Sequence, residues 1–460
     1  MTIADVGERA AAGGVEPRDR SVSFLVFELR FAEPGGVTTP GGGPEQPQVM
    51  LDVDPSGRVH LPGASLAGAL RELAHAERGG AVAADWFGPV LSGEETEAKA
   101  SRVWVLGSRR LDDAEAYVLS STRIDRDRGA ADGSTLRTEE VLPAGARFEV
   151  FLRWDDARGR EVEDLAALIA GWHPLLGRGV SRGRGRCVID AVRHGTLRLG
   201  NPADLLRWLT LNGPELARDV AVEPVIVPAF NSAGGLLFRL PVTIIGPLRI
   251  GTGNKPEPGS REPLRLLRTR AGGPPVVPGT AIKGLLRSRA EFILRSVNGE
   301  SAACLPGTCG DCWTCQVFGY GGGADTDARA VGGRAAIRFA DAVVASPTEV
   351  TRAHIAIDRF TGGVLDGALY TVEALEDGTF TIEAELLPGP AGESRRAEIA
   401  AVLRLALEDL NDGIIGMGAA TTRGYGSVRV DFGAAAGSLT SAADARRILA
   451  GMVQGGGDDS

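Results

Sequence analysis

An α+β fold built twice in tandem is what this sequence predicts, and three observations predict it. Short motifs from the first half of the chain recur in the second half in the same order. Each half can be parsed as a strand, a helix, two strands, a second helix and a last strand, with a Gly-rich turn before the last strand. The length, 460 residues, suits two large units or about three of ordinary size, at roughly 150 residues each. The order β-α-β-β-α-β is that of a ferredoxin-like (RRM-like) domain, the sheet type on which many RNA-binding modules are built.

The repeat rests on five ordered matches. Leu61–Arg71 (Leu-Pro-Gly-Ala-Ser-Leu-Ala-Gly-Ala-Leu-Arg) aligns with Val277–Arg287 (Val-Pro-Gly-Thr-Ala-Ile-Lys-Gly-Leu-Leu-Arg). Phe87-Gly88 aligns with Phe318-Gly319, Ile124-Asp125-Arg126 with Ile357-Asp358-Arg359, and Gly145–Phe148 with Gly378–Phe380. Last, Ser181-Arg182-Gly183-Arg184-Gly185 aligns with Thr422-Arg423-Gly424-Tyr425-Gly426. The spacing between partners grows steadily along the chain, as insertions in a diverged duplicate would make it. Copy one is expected over 22–200 and copy two over 235–434. A flexible N-terminus (1–21), a helical linker (201–234) and a C-terminal helix and tail (435–460) complete the chain.

Within each copy, a first strand (Val22–Phe31; Leu236–Ile250) leads through a Gly/Pro loop to a helix that starts just after Pro-Gly. Leu66, Ala69, Leu70 and Leu73, and in copy two Ile282, Leu285, Leu286 and Phe292, have roughly helical spacing. The middle strands are expected at Arg102–Leu106 and Arg147–Trp154, and at Ala335–Ala340 and Thr379–Leu386. The second helices are expected at Glu163–Trp172 and Arg396–Leu410, the last strands at Arg186–Val192 and Ser427–Phe432. Helices are also expected at Pro202–Arg218 and Ala442–Gln454.

Composition excludes several classes. Charged residues are 24% and hydrophobic ones 43%, values of a globular chain rather than a disordered one. No apolar run is long enough to span a membrane, and Met1–Ser21 lacks the apolar core of a secretory signal. With five cysteines, four of them crowded together, a disulfide framework is not expected, and a reducing, cytoplasmic setting is. The net charge of −9 argues against a uniformly basic nucleic-acid binder.

Locally the balance reverses. Arg178–Arg186 (Arg-Gly-Val-Ser-Arg-Gly-Arg-Gly-Arg) has four arginines and no acid, and its glycines allow close approach of a backbone to an anion. Lys283 and Arg287 share a face near a helix start, where backbone N–H groups favour phosphate. A solvated helix face and a plain Gly-rich hairpin are the competing structural readings. No Walker lysine motif occurs, and the glycines precede a strand rather than opening a helix, so nucleotide hydrolysis and dinucleotide binding have no support.

Cys304-x4-Cys309-x2-Cys312-x2-Cys315 puts four thiols within twelve residues, a spacing that suits a structural, tetrahedral zinc. The first three also match plant-type ferredoxin spacing, so an iron cluster is the alternative. None of the five histidines accompanies a recognisable nucleophile motif. His60, just before Leu-Pro-Gly, is the one whose loop should face a bound phosphate.

Taken together, these motifs resemble the RAMP superfamily of CRISPR-associated proteins, and most of all the backbone subunits of type III effector complexes. The resemblance covers most of 22–434, and the chain looks like two such subunits fused head to tail. It implies two tandem RAMP domains, the second with a zinc-binding insertion at about 300–316, lying along a guide CRISPR RNA in antiviral defence. Arg71, Arg126, Arg178, Arg182, Arg184, Lys283, Arg287, Arg359 and Arg423 would contact RNA, and 125–139 and 358–373 would form hairpin thumbs that interrupt the guide–target duplex. Partners would be the guide and target RNA, a large polymerase-like subunit and small helical subunits, with no membrane.

In that family an aspartate before Pro-Gly supports Mg²⁺-dependent cleavage of target RNA. Here copy two has only Glu257 and Glu262 between Gly251 and Pro278, and copy one has Glu45, with Asp52 further along. Glu45, Asp52 and Glu262 are therefore the candidate catalytic carboxylates, and either copy would bind without cutting if they fail to hold the ion. The alternatives are a metal-independent guide-processing endoribonuclease with His60 or His75 as base, and a structural module without RNA contact.

Overall fold

The structure, a computed structural model, describes residues 20–41, 47–89, 99–122, 124–125, 135–229, 235–253, 262–270, 272–298, 302–305, 309–321, 332–365, 368–387 and 389–454. Glu45, Glu257 and Arg126, singled out above, lie outside the described residues.

In copy one five strands lie side by side in the order Val103–Arg110, Arg147–Asp155, Ser21–Phe31, Cys187–Arg198, Glu223–Val225, each antiparallel to the next. Side chains alternate along Ser21–Phe31, so one strand serves two cores. Leu25, Phe27, Leu29 and Phe31 meet Leu66 and Leu70 of the helix Gly63–Arg78 and Leu165 and Ile169 of the helix Glu161–Ala170. Phe24 and Val26 face the other way and are covered by Leu216, Ala217 and Val220 of the linker. Burial on both faces explains why this strand is apolar nearly throughout; each large side chain so buried contributes about 1.5–3 kcal/mol.

The linker differs from the single helix its sequence predicts. It forms two, Pro202–Thr210 and Gly213–Val220, because Pro214 cannot continue a helix but suits its first turn. Asn201 caps the first by accepting a hydrogen bond from the Ala203 N–H at 2.9 Å. Glu223–Val225, within the segment 201–234 expected as a linker, adds a fifth strand at the sheet edge, where Pro224 is tolerated.

Copy two repeats the arrangement, with Ile337–Phe339, Tyr370–Leu386, Leu236–Ile244 and Val428–Val430 side by side and antiparallel. The helices Gly279–Asn298 and Arg396–Asn411 cover one face, and the C-terminal helix Ala442–Gln454 packs against the latter through Leu449 and Met452. The first strand ends at Ile244, not Ile250, because Gly246-Pro247 interrupts it. Its outer face is polar: Arg239 pairs with Glu383 at 2.6 Å where copy one has its linker helices.

Each copy also extends an antiparallel hairpin around its Ile-Asp-Arg segment, Tyr117–Ser121 with Arg137–Val141 and Ala345–His354 with the first half of Tyr370–Leu386. Main-chain hydrogen bonds fix the equivalence of the two copies residue by residue. Gly185 N–H donates to the Pro34 carbonyl as Gly426 does to Pro247. Asp52 donates to Val37 as Leu267 does to Ile250, and His60 to Asp52 as Val276 to Leu267. Glu140 accepts from the Leu51 N–H at 3.0 Å, and Glu373 from that of Leu266 at 2.9 Å.

Candidate nucleic-acid interface

The Gly-rich loop of copy one is seated on the start of the Pro-Gly helix of copy two. Gly183 has φ +81°, and a Cβ there would lie 2.3 Å from Asp341 Oδ1 and 2.7 Å from its main-chain nitrogen. A Cβ on Gly279, the first residue of the copy-two helix, would lie 3.0 Å from the Arg182 carbonyl carbon. Asp341 in turn accepts the Gly279 N–H at 2.7 Å, and Lys283 Nζ donates to Ser181 Oγ at 2.9 Å. Two motifs that the sequence separates by a hundred residues thus form one seam.

Below it lies a buried ring of alternating charge. Arg338, with no exposed surface, pairs with Glu33 of copy one and with Glu385 at 3.3 Å; Arg186 of copy one pairs with Glu385 and lies 3.5 Å from Glu33. Two arginines and two glutamates, drawn from both copies, neutralise one another, which is the condition for burying them at all.

Cations crowd the rim. Arg184 is buried and paired with Glu139. Arg182 makes no side-chain hydrogen bond among the described residues; burial lowers its pKa, and Arg184, Arg178 and Arg137 lower it further against the opposing pull of Glu139. Burial, with Arg182 and Arg287 nearby, pushes the Lys283 ammonium down to about 7. Burial lifts the Asp341 carboxyl to about 6, despite the Gly279 N–H and the nearby guanidiniums. Four arginines with only Glu139 and the raised Asp341 as nearby acids repel each other and leave a site that favours a polyanion.

The remaining sequence-derived residues fall in three places. Arg287 is held inside copy two, bonded to Glu291 at 2.8 Å and to the Gly319 carbonyl at 2.9 Å. Arg71, its counterpart in copy one, has a buried Nε without a partner among the described residues. Arg178 is exposed beside the seam, and Arg359 is exposed at the tip of the copy-two hairpin, next to the fully exposed Phe360. The copy-two Gly-rich loop is open: Arg423 is exposed and bonds Tyr370 Oη at 2.7 Å, and a Cβ on Gly424 would meet nothing within 4 Å.

Asp52 lies with its Oδ1 3.4 Å from His60 Nε2, while the equivalent positions in copy two are Leu267 and Val276. Glu262 is exposed and 3.8 Å from Arg265. Among the described residues neither carboxylate stands with two further metal donors, so no step is assigned to a Mg²⁺ ion there.

The four cysteines do gather. Their sulfurs lie within 4.8 Å of one another, with Cys304–Cys315 at 3.7 Å and Cys304–Cys312 at 3.8 Å, and the Cys312 N–H donates to Cys309 Sγ at 3.3 Å. A tetrahedron with zinc–sulfur bonds of about 2.3 Å has edges of about 3.8 Å, so the residues fit a metal such as zinc. A fully thiolate site has no open position and serves structure.

Sequence reasoning missed the charge ring, whose members Glu33 and Arg338 are 305 positions apart. It also missed Asp341 and the aromatic group His354, Tyr370 and Tyr425. The one signal available for that group was Tyr425, which stands where the repeat has Arg184.

Residues 32–188 and 242–429 match the family model described as the RAMP superfamily. The chain belongs to the RAMP superfamily. One matched region in each copy agrees with a two-copy RAMP fusion, and membership implies a CRISPR-associated RNA-binding module. No curated protein matches the chain significantly. No described helix of this RAMP protein is long and apolar enough to cross a membrane.

Proposed function

We propose that the chain is a guide-RNA-binding backbone subunit of a type III CRISPR effector, made of two fused ferredoxin-like RAMP domains. The observation that carries this is the seam, where Arg137, Arg178, Arg182 and Arg184 of copy one crowd beside the helix start of copy two with Glu139 as their nearby counter-charge. The strand order around each central strand supports the ferredoxin-like assignment. Phosphates along a single strand relieve the repulsion among the guanidiniums, and counterion release makes the affinity salt-dependent.

The test is to co-express the chain with a CRISPR array and the neighbouring effector genes, purify it and sequence the bound RNA. Repeat-tagged RNAs of discrete length are expected. An Arg178→Glu/Arg182→Glu variant should retain about tenfold less of them at physiological salt. Absence of RNA, or retention of random fragments alone, overturns the reading.

A second reading is metal-independent cleavage in copy one, and the Asp52–His60 pair supports it. Asp52 can orient the His60 imidazole as a general base toward a ribose 2′-OH, whereas Leu267 and Val276 in copy two offer no such chemistry. Cleavage that persists in EDTA, leaves 2′,3′-cyclic phosphate ends and vanishes in His60→Ala supports it. Cleavage that requires Mg²⁺ excludes it.

A further inference from the structure

Copy two carries a cluster of aromatic rings and guanidiniums that copy one lacks. The His354 and Tyr370 rings stack at 5.2 Å with 16° between their planes, and His354 Nε2 lies 3.1 Å from Tyr425 Oη. Arg423 Nη1 donates to Tyr370 Oη at 2.7 Å, and the Arg352 guanidinium lies 5.8 Å from the centre of the Tyr425 ring. Arg249 sits at the base, close enough for Tyr370, Tyr425 and Glu373 to act on its charge; its Nε is buried with no partner among the described residues.

The hydrogen-bond frame shows what stands in the same places in copy one. His354 pairs with Tyr370 across its hairpin as Ser121 pairs with Arg137. Tyr425 and Arg423 correspond to Arg184 and Arg182. Arg249, whose carbonyl accepts the Ala419 N–H, takes the place of Gly36, which bridges to Gly177. Copy one therefore has no ring at any of these positions, and its loop is closed under copy two.

We infer that the cluster His354–Tyr370–Tyr425 with Arg249 and Arg423 is a binding site for one unstacked RNA nucleotide, present once per chain rather than once per copy. Tyr370 is stacked on one side by His354, yet 39% of the residue is exposed, which leaves ring surface for a base. Bases stack on aromatic rings with little regard to sequence, and a protein that reads single strands pairs such a platform with cations for the adjoining phosphate. Arg423, exposed on the open loop, and Arg249, with its unused donor, supply that cation pair. Tyr425 is only 6% exposed and fixes His354 from behind, so the platform is held in place before any ligand arrives.

The inference rests on the RNA-binding reading, and its test separates the two. The full chain is incubated with a single-stranded oligouridine of about 20 nucleotides carrying 4-thiouridine, irradiated, digested and mapped by mass spectrometry. Retained RNA is measured in parallel by filter binding. Cross-links are expected in higher yield on peptides containing Tyr370, His354 or Tyr425 than on the copy-one peptide containing Ser121, which has no ring in the equivalent place. In Tyr370→Ala the cross-link yield per retained RNA should fall about tenfold, and Tyr370→Phe, which keeps the ring and loses the Arg423 bond, should restore most of it. RNA retained with cross-links spread equally over both copies, or unaffected by Tyr370→Ala, overturns the site but leaves the general reading intact. No retained RNA at all overturns both.

Discussion

The two Gly-rich loops have nearly the same sequence pattern and the same backbone, yet they live in different surroundings. Ser181–Gly185 is pressed into the neighbouring copy, with Gly183 at van der Waals limit against Asp341; Thr422–Gly426 ends in open space, with nothing near Gly424. Both glycines have φ near +80°, so local conformation is not the difference. What differs is the neighbour: among the described residues, the helix start at Gly279 meets the loop of copy one and no such start meets the loop of copy two. A motif's chemistry is thus set by its neighbour as much as by its own residues. In copy one Arg184 is buried and Arg182 is crowded by like charges, and in copy two the loop keeps an exposed arginine beside a platform of rings.

Four experiments would break or sharpen this contrast. The largest effect is expected from removing the metal. Copy two gathers four cysteines ahead of Phe318, while copy one has none in the segment ahead of Phe87, where Trp86 packs against Trp154 at 5.3 Å. One zinc per chain by elemental analysis is expected, and its removal, worth about 10–16 kcal/mol of binding free energy in small zinc modules, should raise hydrogen exchange around Trp313 while leaving the Trp86 region protected. A metal-free chain of unchanged exchange would show that the cysteines merely pack.

Next comes the charge ring. Arg338→Ala leaves Glu33 and Glu385 buried beside each other with only Arg186 to balance them, at a cost of about 3–5 kcal/mol. Denaturant titration should show it, and Arg338→Met in a Glu385→Leu background should recover much of the loss. A smaller contrast tests the loops directly. Gly183→Ala should cost roughly 3 kcal/mol, since it adds a clash to the left-handed backbone, and Gly424→Ala only about 1 kcal/mol. Equal costs would mean that the seam does not bear on stability.

The smallest effect is in pH. Asp341, raised to about 6, keeps a proton in the native state that the unfolded chain gives up near 3.8, so it lowers stability as pH rises through that window. Lys283, lowered to about 7, holds fewer protons in the native state than in the unfolded one up to about 10.5, so stability rises with pH there. The melting temperature should therefore pass through a shallow minimum between about 6 and 7. Asp341→Asn should flatten the acid limb alone.

Much of the fold was legible because its signals are local or repeated. The Pro-Gly helix starts, the apolar first strands and the four closely spaced cysteines each announce themselves within about a dozen residues, and duplication turned weak motifs into an ordered set. Boundaries were less legible where a single residue decides them: Pro214 splits the linker, and Pro247 ends a strand early. The seam was legible in its parts and not in its union. Arg182 and Lys283 each read as phosphate ligands, but nothing local says that Lys283 would meet Ser181 and lie buried. The aromatic cluster was hidden because its rings come from three separate segments, and only strand pairing and a loop bring them together.

The covalent join between the copies has a consequence for how such a surface can change over evolutionary time. In a ring or filament of identical subunits, every substitution appears at all interfaces at once, so a loop must serve equally as plug and as free end. Here each loop is encoded separately. One can be tuned to dock, with a glycine that admits no side chain, while the other gains a tyrosine and keeps its face to solvent. Fusion trades the economy of symmetry for the freedom to give each position along the assembly its own task.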